Sequence, residues 1–180
     1  MLKQALSLCM CAPLFFGIAQ AQEEPTPTIQ DLHRLIGTWK FEDSATENAG
    51  YEYSETGTRV CEYAIDDQYI RCESHGKTDT KERTYVFYWN YNKEDERFEM
   101  ISLFGNYSRK IQYHVAVSDD GKRIDMTSGP NPEEEEREQS WATVIFHDDG
   151  TAIWESRSNS GDDLPNHWPV TFLDVATKVQ

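Results

Sequence analysis

Leu35-Ile36-Gly37-Thr38-Trp39 stands between two kinds of sequence. Ahead of it, Thr28 is placed to cap a short helix through Asp31-Leu32-His33-Arg34-Leu35, with Ile29, Leu32 and Leu35 or Ile36 on its apolar side. Gly37 ends that helix, and Trp39-Lys40-Phe41 starts a strand. Helical periodicity is weak everywhere beyond Trp39, and turn signals recur instead. They fall at Glu47-Asn48-Ala49-Gly50, Asp66-Asp67, Gly76-Lys77-Thr78-Asp79, Asn92-Lys93-Glu94-Asp95 and Gly105-Asn106. Three more follow at Ser118-Asp119-Asp120-Gly121, Gly129-Pro130-Asn131-Pro132 and His147-Asp148-Asp149-Gly150. The runs between them are rich in Tyr, Val, Ile, Phe, Trp and Thr. About ten strands spaced roughly 8–12 residues apart mark an all-β chain. The expected architecture is an antiparallel up-and-down β-barrel of about ten strands, entered by a short N-terminal helix.

One hairpin can be registered from the residues alone. Pairing about Asp66-Asp67 sets Cys61 opposite Cys72, Tyr63 opposite Ile70, and Glu62 opposite Arg71. A disulfide, an apolar pair and an opposite-charge pair come from one register, and a slip of one residue loses all three. Cys61, Tyr63, Ile65, Ile70 and Cys72 are then expected to face inward, with Glu62, Arg71 and Glu73 in water. Elsewhere Tyr85, Phe87, Trp89 and Tyr91 share one side of a strand, and Phe98, Met100 and Ser102 share one side of the next. Trp141, Thr143 and Ile145 oppose Ala142, Val144 and Phe146. Several strands are apolar on both faces, which predicts that part of the outer wall is covered.

The chain has 180 residues and a net charge of -15, a length that suits one folded domain. Lys3 and the apolar run 5–18, broken by Ser7, Pro13 and Gly17, lead to Ala19-Gln20-Ala21, the small-x-small pattern of a secretory cleavage site. Residues 1–21 are therefore expected to be a signal peptide, 22–28 a flexible tether, and 29–180 the barrel, exported to the periplasm or beyond the cell. A retained anchor would need a longer apolar run. For a lipoprotein, Cys9 comes too early and Cys11 follows Cys9-Met10 rather than small residues. Cys9 and Cys11 leave with the signal, and an even pair in an exported chain, Cys61 and Cys72, is expected to be a disulfide. The acidic balance repels phosphate backbones and anionic head groups. Nucleic acid is excluded as a partner, and no membrane insertion is expected after cleavage.

At Gly37-Thr38-Trp39 the pattern resembles the lipocalin-like, or calycin, superfamily, whose members open with a short helix and Gly-x-Trp on the first strand. With Ser54-Glu55-Thr56-Gly57-Thr58 on the next hairpin, the chain looks like a group of bacterial lipocalin-like β-barrel domains of unassigned function. The resemblance covers about residues 29–178. It implies an internal cavity with Trp39 plugging the closed end. The arginine that covers this tryptophan in vertebrate-type members has no obvious counterpart, Lys178 being the only cation near the chain end. Some lipocalin-like haem barrels hold iron through a late histidine, which makes His167 testable. Their glycine-rich first strand is replaced here by Lys40-Phe41-Glu42-Asp43, and no cofactor is expected.

Catalytic motifs do not emerge. There is no Gly-x-Ser-x-Gly, and no serine has an obvious His and Asp arrangement. His33, His75, His114, His147 and His167 are scattered singly, without the spacing that brings two ligands to one metal. The run Glu133 to Glu136 reads as a solvated loop, not a calcium site. No catalytic residue and no metal are expected. The aromatic set is the remaining signal. The barrel is expected to bind a small hydrophobic or amphipathic ligand against Trp39, Tyr63, Tyr85, Phe87, Trp89, Phe98, Met100, Trp141 and Trp154. The alternatives are an isomerase- or cyclase-type enzyme using a titratable group inside the barrel, and a structural or protein-interaction module using its acidic outside; the rings could also simply fill a small barrel. The oligomeric state is left open.

Overall fold

Ten strands follow the lead-in helix in an unbroken meander. They are β1 (Gly37–Ala45), β2 (Ser54–Ala64), β3 (Tyr69–Lys77), β4 (Glu82–Asn92), β5 (Arg97–Phe104), β6 (Lys110–Val117), β7 (Arg123–Ser128), β8 (Ser140–Phe146), β9 (Thr151–Ser158) and β10 (Val170–Lys178). Each pairs antiparallel with the next, and β1 also pairs with β10, so the sheet closes into a barrel. This computed structural model describes residues 26–105, 110–128, 140–158 and 167–179. The expected signal peptide, the tether as far as residue 25, the acidic run 133–136 and the turn signals at 106 and 129–132 lie outside the described residues. No helix among the described residues is long and apolar enough to cross a membrane.

One end of the barrel is closed by a 3-10 helix, η1 (Ile29–Leu35). Its start is a reciprocal cap: the Gln30 amide donates to the Thr28 hydroxyl at 3.3 Å, and the Thr28 amide donates to Asp31 at 2.8 Å. Ile29, Leu32 and Leu35 turn into the barrel and are buried. The Trp39 indole N–H donates to the Leu35 carbonyl at 2.8 Å, and its ring packs 6.1 Å from that of Phe146. The tryptophan thus ties helix to barrel. A lysine stands where the resemblance would place an arginine: the Lys178 ammonium lies 5.2 Å from the centre of the Trp39 ring. Register explains it, since Lys178 is the β10 partner of Trp39. Gly37 has a φ of 130°, and a Cβ there would sit 2.6 Å from Cε of that lysine. The positive φ calls for glycine, while the flexible lysine tip could swing aside from a Cβ.

The β2–β3 register is the expected one, with Cys61 on Cys72, Glu62 on Arg71 and Tyr63 on Ile70. Cys61 and Cys72 are joined by a disulfide. Ile65 departs from expectation. The strands stop at Ala64 and Tyr69, and Ile65 begins a turn in which it, Asp66 and Asp67 all have positive φ. Its side chain is 63% exposed instead of facing inward. The Arg71 guanidinium pairs with Glu73 of its own strand. On the outer wall Val60, Leu103 and Val175 are exposed.

Candidate ligand-binding cavity

The half of the barrel above Trp39 encloses a cavity of about 560 Å³, within the range of small-molecule sites. Alternation along each strand decides what enters it. From β1 come Phe41 and Asp43, from β4 Arg83, Tyr85 and Phe87, from β5 Met100, Ser102 and Phe104, and from β9 Trp154 and Ser156. A register shift between Val170 and Phe172 lets β10 present both Thr171 and Phe172 as well as Asp174. Below lies a smaller void lined by Leu35, Trp39, Trp89, Val144 and Phe146, among others. Arg59 lines both spaces and forms the floor between them.

Four of the residues expected from the sequence line the main cavity: Tyr85, Phe87, Met100 and Trp154. Trp39 and Trp89 lie at the smaller void, where Trp89 meets Trp154 edge-on at 6.1 Å. Phe98 is buried against Tyr91, 5.0 Å away, outside the cavity lining. Tyr63 is at the closed end, donating to Gln30 at 2.7 Å and bonded to His33 at 3.1 Å. Trp141 is a correction. Ala142, Val144 and Phe146 are the inward residues of β8, so Trp141 is on its outer face. Both faces of this strand are apolar, and alternation alone cannot say which one turns inward. His167 is exposed and is not part of either lining.

What the aromatic pattern did not disclose is the charge inside. Arg59 donates to Ser74 at 3.0 Å and to Asp174 at 2.5 Å. Its guanidinium carbon is 5.1 Å from the Phe41 ring centre, 5.4 Å from Trp154 and 5.7 Å from Phe87. An arginine with both an acid and three ring faces is well compensated. Glu55, only 1% exposed, accepts hydroxyl hydrogen bonds from Tyr53 at 2.6 Å and Tyr85 at 2.7 Å. Arg83 donates to the Tyr53 hydroxyl at 2.6 Å, and its Nε is 4.0 Å from Glu55. Burial, and then the hydrogen bond to Glu55, holds the Tyr53 phenol well above its usual range. Burial also raises Tyr85, helped by its hydrogen bonds to Tyr53 and Glu55. Both remain neutral donors. Glu55 has room only because β3 passes it with Gly76, where a Cβ would meet the carboxylate at 2.3 Å.

Asp43 completes the set. Its β10 partner is Asp174 and its β2 partner is Glu55, so three carboxyls stand side by side across adjacent strands. Burial, then Asp174 and Glu55, push the Asp43 carboxyl up to about 7, against the opposing pull of Arg59 and Arg83. A sequence signal for this group did exist. Asp43 has the same parity as Trp39 and Phe41, and Glu55 and Arg59 have the parity of Cys61, so all point where the buried residues point.

A family model described as "Protein of unknown function (DUF1579)" matches residues 24–167. No curated protein matches the sequence. Among solved structures, the chain is similar to Rv2717c from M. tuberculosis, with a TM-score of 0.58, 12% identity, and coverage of 87% of this chain and 100% of that one. It is also similar to the S-type phycobiliprotein lyase CPES from Guillardia theta, with a TM-score of 0.51, 13% identity, and coverage of 86% and 93%. At these identities the likeness is one of fold.

Proposed function

We propose that this chain, which belongs to the DUF1579 family, is an exported barrel that holds a small amphipathic molecule in its interior. The observation that carries the reading is the cavity of about 560 Å³, walled by Phe41, Phe87, Phe104 and Trp154 and floored by fixed polar groups. Rings supply apolar contact, and the polar set orients what enters. The solved barrel from Guillardia theta is named a phycobiliprotein lyase, which is in keeping with a barrel that works on a small group. Kinship with the lipocalin-like barrels of the calycin superfamily fits the meander and the tryptophan at its closed end. Export fits the disulfide and the leader pattern, with a mature chain beginning at Gln22.

Native mass spectrometry of the protein purified from its own host tests this. The expected result is a mass excess that disappears on denaturation, on a chain starting at Gln22. A bare chain that also fails to bind naphthylmethanol in calorimetry overturns it. A second reading, an acid–base enzyme of isomerase type, is favoured by Asp43, since a carboxyl at about 7 gives and takes protons near neutrality. Proton NMR of the released compound before and after incubation with the protein separates the two. A carrier returns its compound unchanged, and an enzyme returns an isomer.

A further inference from the structure

We infer that the molecule held in the barrel carries a cationic nitrogen, which docks on Asp43 while its apolar body lies against Phe87 and Trp154. This rests on the carrier reading above and adds the charge of the ligand.

The cavity lining holds three acids, Asp43, Glu55 and Asp174, and three arginines, Arg59, Arg83 and Arg157, the last of them donating to Glu155 and to the Trp168 carbonyl. Asp174 has Arg59, which Ser74 and three rings hold in place. Glu55 has two tyrosine hydroxyls and faces Arg83. Asp43, between the two, has no hydrogen bond or ion pair of its own among the described residues. The charged groups that face it are Asp174 from β10, Glu55 and Arg59 from β2, and Arg83 from β4. Like charges directly opposite on neighbouring strands repel, and burial and the two flanking acids outweigh the arginines at this point. Burial, and then the two flanking acids, keep a proton on Asp43 to about pH 7; an ammonium group beside the three carboxyls would offset both the burial and the repulsion of the ionised form.

A second observation points the same way. Asp174 Oδ1 is buried without a hydrogen-bond partner among the described residues, and so is Glu55 Oε1, with the equally unpartnered Arg83 Nε 4.0 Å from it. Buried acceptors left open call for donors, and an ammonium or amidinium group is a donor throughout. An anion would meet three acids in one row, while each cavity arginine already has a partner: Arg59 has Asp174, Arg83 the Tyr53 hydroxyl and Arg157 Glu155. A metal ion is a poorer match, because no three His, Cys, Asp or Glu side chains among the described residues are placed to hold one. The aromatic wall completes the match, since a cation on a ring-bearing or alkyl body uses both halves of the site.

Three probes of one size test this by calorimetry: naphthylmethylammonium, naphthylmethanol and naphthoate. At about pH 8, with Asp43 ionised, the ammonium probe should bind about tenfold more tightly than the alcohol, and naphthoate more weakly than either. At about pH 5.5 the preference should shrink towards equality as Asp43 takes up its proton. Asp43→Asn should abolish the preference of ammonium over alcohol at both pH values. Should that variant not fold, the pH arm on the natural chain decides alone. Naphthoate binding tightest, or a preference that survives in Asp43→Asn or at low pH, overturns the inference. Equal binding of alcohol and ammonium overturns it too but leaves the carrier reading standing, whereas no binding of any probe removes both.

Discussion

Asp43 shows what closure does to a charged side chain. In an open sheet an acid near a strand end would sit at an edge. Here the strands on both sides carry acids at the paired positions, Asp174 and Glu55, and burial adds to their effect. The consequence for stability has a definite sign. The carboxyl is raised from 3.8 to about 7 in the fold, so between those values the native state binds more protons than the unfolded chain. Stability therefore falls as pH rises through that window, and the full cost is present above it. Asp43→Asn should match the natural chain at about pH 4 and exceed it by about 2 kcal/mol at about pH 8, after allowance for partial solvent screening. Urea unfolding at the two pH values checks this, and an equal difference at both would contradict it. An uncompensated group kept at a cost in stability is what a binding site looks like at this scale.

At the scale of elements, the β2–β3 hairpin was the most legible part of the chain. Three kinds of residue pair agreed on a single register, and short-range pairing needs no knowledge of the rest of the fold. Ile65 was misplaced because strand alternation was carried one residue too far, into a turn with three successive positive φ values. The disulfide closes a separation of 11 residues, and on the chain-entropy account it contributes roughly 3 kcal/mol. The double variant Cys61→Ala/Cys72→Ala should lose about that much in urea unfolding, and added reductant should destabilise the natural chain similarly while leaving the variant unmoved. Next to it, η1 and Trp39 form the other local unit. The cap at Thr28 and the indole hydrogen bond to Leu35 fix where the helix ends and the barrel begins.

The molecule as a whole is a cup with a charged floor. Arg59 divides the cavity from the smaller void beneath it, and the aromatic residues divide accordingly, some lining the cup and others filling its base. Filling the cup from a position outside the polar row should separate binding from folding. Ser156 lines the cavity and is half-buried. Ser156→Trp should weaken naphthylmethanol binding more than about tenfold and change folding stability by less than about 1 kcal/mol. Calorimetry and urea unfolding on the same preparation read both quantities, and unimpaired binding would place the ligand elsewhere.

Alternation, turn chemistry and cysteine pairing act over a few residues, and from these the sequence by itself determined the ten-strand meander, the β2–β3 register and the residues that end the helix. It also marked Tyr85, Phe87, Met100 and Trp154 as a set. Only the tertiary structure decided which face of β8 turns inward, that Lys178 covers Trp39, and that acids from β10, β1 and β2 stand in one row with two arginines nearby. The physical reason is that inward direction and charge proximity depend on how β1 meets β10. Those strands lie at opposite ends of the chain, and no local pattern records the register between them.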